Sequence, residues 1–233
     1  KFFELLLYFQ ADRVYVQTPK DMNYIRKYKK FFNFEADVLY NWIYTDNLVN
    51  KKNSRKNQKY IRFIFIGMIG LAQDYELLFR MIQYCKTKNF KATFYFVGLG
   101  TKKSKLIQLT SGYKNVFFIN EMSLSPLDQI IQKCDICLST LNKYFKSDNF
   151  PGKILRYMVN NKPILIHSPN NSFLKDLIEK NSLGFYSSKE EDFFKNIEYI
   201  FSNFDHLKKK GIDGFNMVKN NYSSDTAVKI LFK

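Results

Sequence analysis

The residues best suited to chemistry lie in one run, Lys146-Ser147-Asp148-Asn149-Phe150-Pro151-Gly152-Lys153-Ile154-Leu155-Arg156-Tyr157-Met158. Asp148 and Asn149 are residue types that cap helices, Pro151 suits a first helical turn, and a helix is expected from Gly152 to Val159. Lys153 would then put an ammonium at the positive end of the helix dipole, an unfavourable place unless an anion sits there too. The chemistry implied is recognition of a phosphate-like group. A surface lysine kept in water is the other reading of the same residues. Two glycine turns could contribute to the same recognition. Ile66-Gly67-Met68-Ile69-Gly70 ends one apolar run and Val97-Gly98-Leu99-Gly100 ends the next. Glycine at such turns permits positive φ and lets backbone amides approach phosphate oxygens, although it also serves ordinary strand-to-helix turns.

Other reactive residue types carry less. Cys134-Asp135-Ile136-Cys137 has the spacing of half a metal or redox site, but no second pair completes it and Cys85 and His167 are distant in sequence. These cysteines are expected in the core, where Cys behaves as a small hydrophobe. Three cysteines give no disulfide framework, and a reduced cytoplasm is the simplest setting. His167 closes an apolar run and could face a cleft, but a satisfied loop histidine is the plainer expectation. His206, among lysines, reads as surface. Trp42 is expected to pack at a domain junction rather than to stack on a ligand.

The elements that must position these residues alternate between strand-length apolar runs and helix-length amphipathic segments, the pattern of βαβ units and a parallel sheet covered on both faces. Strands are expected at Val14 to Gln17, Ala36 to Tyr40, Ile61 to Ile66, Ala92 to Val97, Val116 to Ile119, Ile136 to Leu138, Ile164 to Ile166 and Gly184 to Tyr186. Helices fall between them, with one or two more after Asp205. The fold class is α/β, a Rossmann-like parallel sheet, and its ligands would lie beyond the carboxyl ends of the strands where strand order reverses. The polar, basic stretch 45–59 cannot contribute to a core and reads as a linker. Residues 1–44 would then be the end of a first domain and residues 60–233 a second one. The chain does not begin with Met and its first segment reads as a helix needing something to pack against, so sequence is expected upstream. No apolar run approaches the roughly 20 residues of a membrane-spanning helix, and no signal peptide is visible.

The formal net charge of +16 raises the question of a polyanionic partner. Only Asn50 to Lys59 and Lys208-Lys209-Lys210 are dense in basic residues, the other lysines are scattered, and Lys far outnumbers Arg. Together with abundant Asn, Ile, Phe and Tyr, this is the composition an AT-rich genome produces, so no nucleic-acid partner is expected. Attraction to an anionic membrane surface is the more natural consequence.

Several segments, taken in order, resemble one family. Phe150-Pro151-Gly152-Lys153, then Tyr157-Met158, then Asn161-Lys162-Pro163-Ile164-Leu165 are similar to the retaining GT-B glycosyltransferases of the bacterial surface-polysaccharide and lipopolysaccharide type, the glycosyl transferases group 1. Ile66 to Gln73 resembles the opening of that group's donor domain and Phe96 to Gly100 its second strand, while Glu4, Ala11 to Val14 and Val38 to Ile43 are similar to the end of its acceptor domain. The resemblance implies a GT-B donor domain, with remnants of the N-terminal domain, that binds a nucleoside-diphosphate sugar, most often UDP-linked. It implies no cofactor and no metal, because helix N-termini and basic side chains stabilise the leaving diphosphate.

Under that resemblance Gly67 and Gly70 admit the backbone to the diphosphate or sugar, Gln73 is a neutral substitute for a basic phosphate ligand, and Lys153 pairs with the diphosphate at a helix begun by Pro151 and Gly152. Gly98 belongs to the donor-binding turn after the second strand, the stretch Val116 to Asn120 lines the base, and Ser139 to Leu141 with the loop to Asp148 faces the sugar. Asp148 and Lys153 are the expected catalytic residues. The second of the family's two acids, eight positions after the first, would grip the ribose hydroxyls but here falls on Arg156, which cannot accept their hydrogen bonds. Either Arg156 turns outward or donor binding is altered. The acceptor would be a glycan or lipid-linked oligosaccharide at the cytoplasmic face of the membrane. Most of the acceptor domain is absent from this chain, which should bind better than it catalyses. A noncatalytic module for protein contacts and a basic nucleic-acid-binding domain are the alternatives of other classes.

Overall fold

A computed structural model of the chain describes residues 2–45, 60–145, 149–207 and 209–233. A small N-terminal portion contains α1 (Phe2–Gln10), β1 (Arg13–Val16), α2 (Pro19–Tyr28) and β2 (Glu35–Val38), with β1 and β2 paired in parallel. α2 begins as its sequence dictates: Thr18 is the N-cap, its hydroxyl accepts from the Asp21 amide, and Pro19 opens the first turn. α1 buries none of its residues and leaves Phe2, Phe3, Leu7 and Phe9 exposed.

The larger portion alternates strictly: β3 (Ile61–Ile66), α3 (Tyr75–Thr87), β4 (Ala92–Val97), α4 (Lys103–Leu109), β5 (Val116–Ile119), α5 (Leu124–Lys133), β6 (Ile136–Thr140), α6 (Gly152–Val159), β7 (Ile164–His167), α7 (Ser172–Lys180), β8 (Gly184–Ser187) and α8 (Glu190–Ser202). Three short helices follow, α9 (Phe204–Leu207), α10 (Gly214–Asn221) and α11 (Ser224–Leu231). All eight expected strands are present, and the α/β class is the one the alternation dictates. The six strands of this portion form one parallel sheet in the order β5-β4-β3-β6-β7-β8. The chain winds outward from β3 to β5 in one direction, returns to the centre, and winds from β6 to β8 in the other.

Both faces are covered, which is why the central strands read as unbroken apolar runs rather than alternating ones. Beneath α5, α6, α7 and α10 the core contains Ile64, Cys137, Ile154, Tyr157, Ile166, Leu174 and Val218. On the opposite face α3, α4 and α8 enclose Phe63, Phe65, Phe94, Leu78, Leu106, Phe193 and Ile197. α3 shows the local logic: Asp74 caps it by accepting from the Leu77 amide at 2.8 Å, and Leu77, Leu78, Met81, Ile82 and Cys85 recur at helical spacing to form its buried stripe.

Residues 40–43, which the sequence places at the end of the first domain, lie against the larger portion. Tyr40 packs on Phe150, Phe173 and Tyr222. The Ile43 amide donates to the Tyr222 carbonyl at 2.9 Å, and its own carbonyl accepts from the Ser224 amide at 3.1 Å. The linker expected at 45–59 lies outside the described residues beyond Thr45.

Candidate functional site

The reversal of strand order falls between β3 and β6, and the two strands separate there. Their pairing ends at Phe65 opposite Leu138. Tyr157, fully buried on α6, drives its hydroxyl into the gap, accepting from the Ile66 amide at 2.9 Å and donating to the Leu138 carbonyl at 3.0 Å. The hydroxyl replaces the ladder bond the strands would otherwise make, so two backbone groups that would be costly to bury unpaired are satisfied while the strands part. Burial holds the Tyr157 phenol well above its ordinary pKa.

Beyond the strand ends the two glycine turns stack on one another. The Gly67 amide donates to the Val97 carbonyl at 2.9 Å and the Ile69 amide to the Leu99 carbonyl at 2.8 Å, continuing the β3 and β4 ladder past both strands. Gly98, at φ +136°, permits this approach, because a Cβ there would stand 2.3 Å from the Gly67 carbonyl oxygen. Gly67, at φ +99°, is exposed with open space where a Cβ would lie. Gly67 and Gly98 both line the cleft, but the Gly67 amide is committed to Val97 and Gly98 serves the packing of the two turns. Gly70 is buried beside the Met68 side chain, away from the opening at which the sequence places it.

α6 starts at the mouth of this crevice. Pro151 is its N-cap and no side chain caps the first turn. Asn149 therefore does not play the capping role its residue type implies: its carbonyl instead accepts from the Asn171 side chain at 2.8 Å, and its own Oδ1 is buried without a partner. Asp148 lies outside the described residues. The uncapped amide end at Gly152 and Lys153 keeps its anion-binding capacity.

Lys153 is held over the crevice in a largely uncharged setting. Its Nζ lies 3.8 Å above the centroid of the Phe65 ring and donates to Gln73 Oε1 at 2.9 Å. Burial pushes its pKa down to about 7. A desolvated lysine amine beside a neutral amide and an aromatic face is poised to take up an anion and a proton together. Gln73, expected as a phosphate ligand in its own right, is the residue that orients Lys153.

The cleft so formed has a volume of about 520 Å³. It is lined by Gly67, Met68, Gly98 and Leu99 from the two glycine turns, Gly152, Lys153 and Arg156 from α6, Glu121, Met122, Leu124 and Leu127 from the end of β5 through α5, and Trp42 with Ile43. Arg156 does not turn outward. It is 7% exposed and its Nη2 donates to Asp128 Oδ2 at 2.5 Å, while Asp128 Oδ1 accepts from Asn160 at 2.8 Å. Its Nε is buried without a partner. The ion pair explains how a guanidinium is accommodated on the buried face of α6, with a carboxylate from α5 neutralising it.

Asn120 does not line the cleft; its neighbours Glu121 and Met122 do. Its Oδ1 accepts from Lys103 Nζ at 3.0 Å, and the same ammonium donates to the carbonyls of Gly98 at 2.7 Å and Ile119 at 3.3 Å. Lys103 thus ties the ends of β4 and β5 together from the first turn of α4. Replacing it with Met is expected to lower the unfolding free energy by about 1 kcal/mol, read as a shift in the urea midpoint at unchanged slope.

Ser139, Thr140 and Leu141, expected to face a sugar, are buried instead; the Thr140 hydroxyl donates to the Asp74 carbonyl at 3.2 Å. His167 is buried at the end of β7, 3.3 Å from Ser187 Oγ and edge-on to Phe193, and burial lowers its pKa. It is a satisfied structural histidine outside the cleft, and His206 is exposed. Cys85, Cys134 and Cys137 are buried and form no disulfide, and desolvation raises the pKa of Cys85 and Cys137. Among the described residues no group of three His, Cys, Asp or Glu side chains could hold a metal ion, and no helix is long and apolar enough to cross a membrane.

A doubly wound parallel sheet with an uncapped helix terminus at its reversal point is a Rossmann-like α/β architecture. The profile of the glycosyl transferases group 1 matches residues 61–203, and the chain belongs to that family. A comparison with curated proteins finds no match. Among solved structures, a mutant of TarM from S. aureus in complex with fondaparinux, alpha-GlcNAc-glycerol and UDP superposes with a TM-score of 0.76 at 15% identity, over 99% of this chain and 45% of that one. The pneumococcal O-GlcNAc transferase GtfA in complex with UDP and GlcNAc gives 0.71 at 12% identity, over 95% of this chain and 44% of that one. HepE from Anabaena in complex with UDP and glucose gives 0.75 at 13% identity, over 97% and 63%. These likenesses establish the GT-B fold, of which this chain carries the donor-side sheet. The chain spans less than two thirds of the length of each of the three.

Proposed function

We propose that the chain is the donor-binding half of a glycosyltransferase that moves a sugar, with retention, from a nucleoside diphosphate to a cell-surface polysaccharide or lipid-linked acceptor. The observation that carries this reading is Lys153, a half-buried basic side chain at the uncapped start of α6 whose polar partner is the neutral Gln73. The donor is a UDP-sugar, in keeping with the UDP present in the TarM, GtfA and HepE complexes. An acceptor of the surface-polysaccharide class is consistent with the similarity to WaaB, a lipopolysaccharide outer core galactosyltransferase, at 15% identity and a TM-score of 0.71.

As the glycosidic bond to the diphosphate breaks, negative charge accumulates on the leaving oxygen. Lys153 and the uncapped amide end of α6 at Gly152 stabilise that charge, as fixed donors that need no reorganisation. No metal is needed for this step, and the reaction runs at the cytoplasmic face of the membrane, to which the basic chain is drawn. Arg156 supports a second reading, a noncatalytic module, because a guanidinium stands where a ribose-binding carboxylate would be. Calorimetric titration of the chain with UDP, GDP and a UDP-sugar, with and without EDTA, separates the two. Saturable binding that prefers the uridine ligands and ignores EDTA supports the enzyme reading, and a folded chain that binds none of them refutes it.

A further inference from the structure

We propose that Trp42 is a nucleobase-binding residue of the donor cleft, its indole forming an aromatic wall against which the base of the bound nucleotide stacks; this rests on the reading of the cleft as a nucleotide site. The backbone around it is pinned on both sides. The Asn41 side chain donates to the carbonyl of Phe150, immediately before the start of α6, and Ile43 is bonded in both directions to the segment joining α10 and α11. Ile43 packs on the core and Trp42 faces the cleft. A large aromatic ring is thereby held in place at little further cost in conformational freedom, yet it remains 45% exposed.

The rest of the lining says what kind of group it covers. Met68, Leu99 and Leu124 present large apolar surfaces at 70, 47 and 61% exposure, while Lys153, Arg156 and Glu121 supply the charged groups. A flat ring with apolar faces and an anionic tail matches both features. An isolated inorganic anion would leave the apolar walls in water. A pyranose, with hydroxyls around its whole edge, would bury most of them against Met and Leu. A base face on an indole satisfies the walls, and its diphosphate reaches Lys153.

Trp42 is the only tryptophan in the chain, so its fluorescence reports on this wall alone. UDP is expected to quench that emission saturably, and inorganic pyrophosphate is expected not to. In calorimetric titrations Trp42→Ala should weaken UDP binding by about tenfold to a hundredfold, Trp42→Phe should recover most of it, and both variants should keep the wild-type unfolding midpoint. UDP binding that depends on Lys153 but is unchanged in Trp42→Ala, with no quenching, overturns this proposal and leaves the donor-site reading standing. Absence of UDP binding to the wild-type chain overturns both. A lowered midpoint for Trp42→Ala shifts the decision to Trp42→Phe and the quenching titration, where an unquenched indole contradicts the stacking.

Discussion

Tyr157→Phe is expected to lower the free energy of unfolding by about 2 to 4 kcal/mol, a large loss for the removal of one oxygen atom. That oxygen accepts from the Ile66 amide and donates to the Leu138 carbonyl, both within the sheet, and the side chain is completely buried. Removing it orphans a donor and an acceptor in an apolar interior, and the strands cannot simply re-pair, because the ring still stands between them. Denaturation in urea followed by circular dichroism gives the number. A loss below about 0.5 kcal/mol, the usual range for a neutral substitution, would mean that the hydroxyl is not what holds the crevice open.

Lys153→Ala carries the second large effect, and it falls on binding rather than stability. A charge-assisted contact to a diphosphate contributes about 1.5 to 3 kcal/mol, so UDP affinity should fall by one to two orders of magnitude. Stability should not fall. With its pKa held near 7 by burial against roughly 10.4 in the unfolded chain, the folded lysine binds fewer protons than the unfolded one between those two values. The wild-type chain is therefore stabilised as pH rises through that window and bears the full cost of burying the ammonium below about pH 7. Removing the ammonium should make the variant as stable as the wild type at pH 8.5 or more so at pH 6.5, a pattern expected where function is obtained against stability.

The sheet is legible in the sequence because its strands are made of runs such as Ile61-Arg-Phe-Ile-Phe-Ile and Ala92-Thr-Phe-Tyr-Phe-Val, which only a doubly covered parallel sheet accommodates. Element boundaries are less legible where capping decides them. The third helix begins at Tyr75, since Asp74 provides the cap and leaves Gln73 outside the helix, where its side chain meets Lys153. Lys153 itself stands out through a local conflict, a cation at a helix start, and the structure brings it into the cleft with Gly67, Gly98, Gly152 and Arg156.

What sequence does not reveal is long-range partners. The bond between Arg156 and Asp128 crosses 28 positions with no periodicity to announce it. Lys162, in Asn-Lys-Pro, is 1% exposed, and its Nζ donates to the carbonyls of Gln132 and Cys134 at the end of α5, where a helix dipole welcomes a cation, a partnership no local pattern announces. Trp42, expected to pack at a domain junction, instead lines the cleft, which depends on how Asn41 and Ile43 are anchored by residues over 100 positions away.

The central claim is that a diphosphate binds at the start of α6 through Lys153. Its most direct test is calorimetric titration of the wild-type chain and Lys153→Ala with UDP at pH 6.5 and pH 8.5, each in two buffers of different ionisation enthalpy. A bound diphosphate favours the protonated lysine, so wild-type affinity should be higher at pH 6.5, with proton uptake on binding at pH 8.5. Lys153→Ala should bind more weakly at pH 6.5, with the uptake gone. Equal affinities for the two proteins at pH 6.5, with the same proton count at pH 8.5, would contradict the account.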